Sequence, residues 1–443
     1  MTPTDADTVD PAAQAEADVV AFCRDLIRMD TQNWGGGEAC GEREAAEYCA
    51  AILRQAGLEP ELVETAPGRT SVVARMAGTD PEAGALVVHG HLDVVPAQAA
   101  DWQVDPFSAE IVDGMIWGRG AVDMKDMDAM ILAAVLRMSR EGRRPRRDLI
   151  IAFFADEEDN GRWGAGRIVA DRPELFDGAT EAISEVGGFS ADIAGRRAYL
   201  IQTGEKGLHW TKMIAEGTAG HGSAVQRDNP VVTLGEAVAA IGAHCWPIEY
   251  TKTTRALMEQ LSELTGIPFD EEDPAPLLEA TGSTAKFIAA TLQNTSNPTA
   301  LDAGYKHNVV PGSAEALVDA RTLPEQDAKV AATLAELAGE KVRFELQNGG
   351  PSLEVPFSGA LVEGMVSSLR AEDPDAVVLP YMLGGGTDNK HLAALGISGY
   401  GFAPLRLPAE LDFTGMFHGV DERVPVDALQ FGVRVLHRFL EAQ

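Results

Sequence analysis

Positive charge is scarce in this 443-residue chain: 36 lysines and arginines stand against 68 aspartates and glutamates, a formal charge of −32. That balance argues against nucleic acid and anionic membranes as partners and describes a self-repelling surface. Cysteine is nearly absent, with only Cys23, Cys40, Cys49 and Cys245, and no CxxC pair or finger-like spacing. Neither a disulfide framework nor a thiolate zinc site is expected, and the thiols read as reduced in a cytoplasmic protein. Long apolar runs are missing as well: no window approaches the roughly 18 consecutive apolar residues of a membrane span. The opening "MTPTDADTVDPAAQAEAD" lacks the basic and apolar regions of a signal peptide and reads as a disordered acidic leader. No G-x-S-x-G elbow occurs, which removes the main support for a serine enzyme of the α/β-hydrolase type.

What is present is ordinary globular material, 45% apolar and 23% charged, long enough for roughly two or three domains. Helices are expected at 18–29 ("DVVAFCRDLIRM") and 42–57, with the glycine-rich "NWGGGEACGE" as a loop between them. Short continuous apolar runs follow: "GALVVHG", "DLIIAFFAD", "EAISEVG" and "RAYLIQTG". A helix carrying Met127, Met130, Ile131, Ala134, Val135 and Met138 separates the first two, and its methionines, with Met124, read as core. Strands and helices in this alternation predict an α/β fold with a mostly parallel sheet sandwiched by helices. In such sheets the ligand crevice lies beyond the carboxyl ends of the strands, where several of these runs end in histidine or carboxylates.

From about residue 206 the texture changes to strand, helix, strand, strand, helix, strand, the ferredoxin-like order. We expect an inserted α+β lid domain at 206–355, splitting a larger catalytic domain into 1–205 and 356–443. The insertion at 245–290, rich in proline and acids at about 266–280, has no predicted place within it. The basic island "REGRRPRRD" (140–148) reads as a solvated loop.

The chemistry-bearing residues are individually modest. His91 and Asp93 in "HGHLDVVP" fall on one side of a continuing strand, and a metal-bound histidine passes its other ring proton to such a carboxylate. Asp123, just before a helix, is by itself more simply an N-cap. Glu157 and Glu158 in "FADEEDNG" and Glu185 in "AISEVGG" are by themselves loop acids, and His418 in "FTGMFHGVDERVP" a lone histidine. Together, His91, Asp123, Glu158, Glu185 and His418 supply two imidazoles and three carboxylates at strand or loop ends. That donor set suits two Zn²⁺ ions, with Co²⁺ or Mn²⁺ as substitutes.

The stretches "HGHLDVVP", "WGRGAVDMKDM", "FFADEEDNG", "SEVGG", "AGHGS", "KHNVVPG", "VDARTLP", "GGGTD" and "FHGVDERVP" resemble, in order, the motifs of one family. It is the two-zinc exopeptidases and deacylases that include aminoacylase, glutamate carboxypeptidase, succinyl-diaminopimelate desuccinylase and the carnosine-type dipeptidases. The resemblance implies that Asp123 bridges the metals, with His91 and Glu185 completing one and Glu158 and His418 the other. Asp93 would buttress His91, and Glu157 would be general base and then acid. His221 would reach the active site of a partner subunit from the lid, although the proline that often follows that histidine is delayed here to Pro230. Arg321 would bind the substrate carboxylate. Asn308, Gly385, Gly386 and Thr387 would line the pocket, with His307 and Asp388 as less defined neighbours. The expected activity is hydrolysis of an amide beside a free carboxylate: dipeptidase, carboxypeptidase or N-acyl-amino-acid amidohydrolase, acting on a small-molecule substrate as a homodimer joined through the lid. The alternative is a non-catalytic amino-acid or peptide binder on the same scaffold, for which Glu157 would have no use.

Overall fold

The apolar runs become the inner strands of one ten-stranded sheet in the computed structural model, which describes residues 10–443. Ala85–His91 lies at its centre, parallel to Leu149–Phe154 on one side and to Ala179–Ser184 on the other. Side chains alternate through it. Leu86, Val88, Ile151 and Phe153 enter the larger core, beneath helices such as Lys125–Arg140 and Val426–Ala442. Val87, Ile150, Ala152 and Phe154 enter a smaller core on the opposite face, with Ile168 and Leu392. Helices therefore cover both faces, as continuous apolar strands require. The fold is α/β, and the sheet is mixed: Arg69–Met76 runs antiparallel to Leu149–Phe154 and pairs with Glu61–Ala66, two strands not anticipated from the sequence.

Because the three central strands are parallel, their carboxyl ends arrive together. His91 ends one, Asp156–Glu158 follow the second, and Glu185 follows the third. Met124, Met127, Met130 and Met138 are all buried in the main core.

The chain from 207 to 350 forms a separate four-stranded antiparallel sheet, in the order Thr295–Ala303, Ser313–Thr322, Gly207–Glu216, Val342–Gly350. Its connections give the ferredoxin-like order. Helices Pro230–Ala243 and Asp327–Ala338 cover one face through Leu234, Ile241, Val330 and Leu334. The other face carries Trp210 and Leu317, both exposed.

Several expectations need correction. The first helix spans Pro11–Arg28, with Asp10 accepting the Ala12 amide at 3.2 Å, so the leader is helical from residue 11; residues 1–9 lie outside the described part. The glycine-rich loop contains a small hairpin, Asn33–Gly35 with Glu38–Ala39. The segment left without a place is helical, Lys252–Thr265, Ala275–Glu279 and Ala285–Ala289. It buries Leu257, Met258, Leu261, Leu277 and Ile288 in the core of the large sheet rather than in that of the smaller one. The basic island, expected as a solvated loop, is an exposed loop that is also tied down: Arg144 donates to the Ala77 carbonyl at 3.0 Å, Arg146 to Asp80 at 2.8 Å and Arg147 to the Ala85 carbonyl at 2.9 Å. All four cysteines are unpaired, and no described helix is long and apolar enough to cross a membrane.

Candidate metal centre and substrate cleft

His91 is the last residue of a strand buried along its whole length. The preceding glycine allows this packing, since a Cβ on Gly90 would stand 2.2 Å from Asp128 Oδ1. Asp123 sits on the turn before helix Lys125–Arg140 but does not cap it; that helix begins after Met124 with no side-chain cap. Its carboxylate points the other way. Oδ1 lies 3.1 Å from His91 Nε2 and Oδ2 lies 3.3 Å from His418 Nε2. Glu185 Oε2 stands 3.5 Å from His91 Nε2, and Glu158 Oε2 stands 3.2 Å from His418 Nε2. The five residues thus gather into two groups that share Asp123. Donor atoms of His91, Asp123 and Glu158, and those of His91, Glu157 and Glu185, each fall within 4.8 Å of one another.

The electrostatics of this cluster ask for cations. Burial pushes the Glu158 carboxyl up to about 7, with the Asp123 charge adding to the effect. Burial likewise raises Glu185 well above the usual carboxylate range, against the pull of His91. His418, facing Asp123 and Glu158, is raised to about 11. Closely packed, buried nitrogen and oxygen donors of this kind are ones a divalent ion could hold together. Val186 and His418 adopt left-handed backbone, φ 51° and 58°, a strain that collects at functional sites.

Asp93 is fully buried but supports more than His91. The Nδ1 of His91 lies 2.9 Å from the Asp93 main-chain carbonyl and 3.6 Å from its carboxylate. The carboxylate itself accepts the Glu157 amide at 3.0 Å, the Glu158 amide at 3.1 Å and Asn33 Nδ2 at 2.9 Å. Those bonds, with His91, hold its pKa below the ordinary value in spite of burial. Glu422 does the same for the Asp123 turn. It accepts amides from Gly120, Val122 and Asp123 at 3.0, 2.7 and 3.1 Å and pairs with Arg119 at 2.8 Å.

A cleft of about 300 Å³ opens over the centre. Glu157, Arg321, Gly385, Gly386 and Thr387 line it together with the ligand candidates Asp123, Glu158, Glu185 and His418. Arg321 comes from the helix-free face of the smaller sheet, held side-on by Asp319 at 2.7 Å and lying 5.9 Å from the centre of the Trp210 ring. Buried Glu205 fixes the glycine loop by accepting the Thr387 amide at 3.1 Å. His221 and Asn308 stand elsewhere: both are exposed at one tip of the smaller sheet, where the Gly222 amide donates to Asn308 at 2.9 Å. His307 is exposed beside them, and Asp388 is buried behind the glycine loop.

Sequence reasoning missed Lys390 and Lys206. Lys390 Nζ lies 3.5 Å from Glu157 Oε1, and Glu157, Asp388 and Glu205 raise its pKa although burial opposes this. It sits two residues past the quoted "GGGTD", as Glu422 sits inside "FHGVDERVP", so the local signal was present and only the side chain's target was hidden. Lys206 donates to the carbonyls of Ala290 and Gln293 at 3.0 and 2.8 Å, contacts that no local pattern announces.

Nitrogen and oxygen donors gathered at one end of an α/β sheet, under a second, smaller sheet, make a candidate metal centre of the kind hydrolases use. The model of Peptidase family M20/M25/M40 matches residues 87–442, and the chain belongs to that family. It is 29% identical over 412 residues to Aminoacylase-1 of Pongo abelii, covering 89% of this chain and 90% of that protein. It is 25% identical over 446 residues to the N-fatty-acyl-amino acid synthase/hydrolase PM20D1 of Xenopus tropicalis, covering 96% and 85%. Among solved structures, the M20 family metallo-carboxypeptidase Sso-CP2 of Sulfolobus solfataricus has the same fold, with a TM-score of 0.73 at 20% identity over 96% of this chain and 98% of that one. The protein is therefore a hydrolase of amide bonds, and the reading as a non-catalytic binder gives way.

Proposed function

We propose that the protein is a two-metal amidohydrolase that cleaves an amide bond next to a free carboxylate. The observation that carries this reading is the division of Asp123, one oxygen facing His91 and the other His418, with Glu185 and Glu158 beside them. His91, Glu185 and Asp123 would hold one ion and Asp123, Glu158 and His418 the other; the all-N/O donor set favours Zn²⁺, then Co²⁺ or Mn²⁺. Bound there, two divalent ions would polarise the scissile carbonyl and bring a water toward ionisation near neutral pH.

The chain's own residues do the rest. Glu157 lies at the rim of the centre without a place in the shared Asp123 pair, free to take a proton from the attacking water and return it to the departing nitrogen. Lys390, 3.5 Å away, orients that carboxylate toward the centre. Asp93 fixes the Glu157 and Glu158 amides, so base and ligand keep their spacing. Arg321 presents a guanidinium in the same cleft as a partner for the substrate carboxylate, and the glycine loop brings main chain close to the ligand. The names of the two sequence relatives speak for an N-acyl amino acid as substrate.

The division into a catalytic body and a lid is part of this proposal, amended so that 252–289 belongs to the body. His221 would act on a second copy of the chain, because in its own subunit it stands exposed outside the cleft. The exposed Leu317, on the helix-free face of the smaller sheet, is where such a copy would pack. Unpaired thiols fit a reducing, cytoplasmic setting.

Elemental analysis of the purified protein should give about two divalent ions per chain, and chelation should abolish hydrolysis of N-acyl amino acids. Glu157→Gln should keep both ions and lose turnover by at least about a hundredfold. An active metal-free preparation, or a Glu157→Gln variant with full turnover, would refute the mechanism.

A further inference from the structure

The cleft is lined by charged groups, among them Asp123, Glu157, Lys390 and Arg321, and by the apolar Val186, Leu208, Phe287, Leu383 and Phe417. Leu208 sits directly across the smaller sheet from Arg321; the other four come from the body around the large sheet and make up an apolar wall. Val186 follows Glu185 and Phe417 precedes His418, so the apolar wall reaches the metal centre itself. Phe287 comes from farther away, on the short helix Ala285–Ala289 that ends the segment packed onto the body.

A chain of aromatic rings connects the two ends of this wall. Phe287 lies 5.7 Å from Tyr381, Tyr381 6.0 Å from Phe189, Phe189 5.0 Å from Phe413, and Phe413 5.3 Å from Phe417. Tyr381 is fully buried, and its hydroxyl donates to the Val186 carbonyl. The middle of the belt is thus fixed beneath the cleft, while its half-buried ends, Phe287 and Phe417, line the cleft. Ring pairs at these separations add to the stabilisation from burial alone and hold their geometry. A ligand group seated against them meets a preformed apolar surface.

We propose that the segment 252–289 is the specificity element of this cleft: through Phe287 it completes an apolar subsite with Val186, Leu383 and Phe417 that takes the uncharged, apolar acyl group of an N-acyl amino acid. This rests on the amidohydrolase reading, with the carboxylate end of the substrate at Arg321. A charged acyl group in the same place would lose its hydration against rings that offer it no partner, so the subsite selects by both contact and exclusion.

The test compares the metal-loaded full chain on the N-acetyl, N-hexanoyl and N-succinyl derivatives of L-alanine, L-phenylalanine and L-glutamate. The hexanoyl compounds should exceed the acetyl ones in kcat/KM by roughly tenfold or more, since even one methylene in an apolar pocket carries that much. The succinyl compounds should fall below both. In Phe287→Ala the hexanoyl-to-acetyl ratio should collapse toward one, and in Phe287→Leu it should be largely kept. Phe287→Trp, which keeps the packing if the alanine variant unfolds, should narrow the subsite and move the preference toward acetyl. A folded Phe287→Ala variant with the full hexanoyl preference overturns the proposal, as does a wild type that prefers succinyl. If no N-acyl amino acid is turned over, the amidohydrolase reading fails separately. Calorimetric titration of the same compounds into Glu157→Gln then decides the subsite: tighter hexanoyl binding that Phe287→Ala removes supports it, and binding indifferent to the acyl group, or none, overturns it.

Discussion

At the scale of single residues, the site is built by side chains that hold other side chains. Asp93 and Glu422 touch no space a substrate could enter, yet each ties down the backbone of a turn that carries donors. His391 belongs to the same class: its Nε2–H donates to the Asn160 carbonyl at 2.9 Å, closing the turn that begins at Glu157. Burial and the neighbouring Lys390 charge lower its pKa to about 4 from the usual 6.5. The sign follows from proton uptake: between those two values the unfolded chain takes a proton that the fold refuses, so stability from this group is complete above about 6.5 and is lost as the pH falls toward 4. Urea midpoints of the wild type and His391→Gln should therefore converge on acidification, by up to about 1.4 kcal/mol per pH unit. A difference independent of pH would show that the ring is not neutral in the fold. The donors themselves were legible as residue types in the sequence. Which oxygen of Asp123 meets which imidazole was not, because that depends on a rotamer fixed by strands far apart in the chain.

At the scale of elements, legibility followed periodicity. The apolar spacing of "VDALQFGVRVLHRFLEA" is strong enough to predict a closing helix by itself, and the helix spans Val426–Ala442. The hairpin Glu61–Met76 and the helix Lys252–Thr265 escaped notice. The helix declares itself by its start rather than its stripe: Thr251 accepts the Thr254 amide at 3.2 Å while Thr254 Oγ1 accepts the Thr251 amide at 2.9 Å, a capping box written with threonine where glutamate is usual. Thr251→Ala should cost about 1 kcal/mol of stability in denaturant unfolding, and the loss should be reversed by Thr251→Ser. An unchanged midpoint would mean that core packing through Leu257 and Leu261 sets this helix without its cap.

At the scale of the whole molecule, the chain crosses between its two sheets several times, and the groups proposed for catalysis and substrate binding lie on both sides of those crossings. Glu157 and the ligand candidates belong to the body around the large sheet, Arg321 to the small sheet, and His221 to the far tip of the small sheet. A second copy brought against the exposed lid face is the simplest way for His221 to reach a cleft. Mixing inactive Glu157→Gln and His221→Ala subunits should then restore part of the activity, since some mixed dimers contain one cleft with both groups intact. No recovery in a mixture shown to exchange subunits would place His221 outside the reaction.

The sequence by itself determined the α/β class, the strand ends on which the donors sit and the chemistry of those donors, because apolar periodicity and residue type are local properties. Tertiary structure alone decided how the donors share Asp123, where 252–289 packs and that Phe287 enters the cleft. Those outcomes rest on contacts between residues from separate elements, His91 with Asp123 and Asp123 with His418 among them, for which a linear pattern carries no distance.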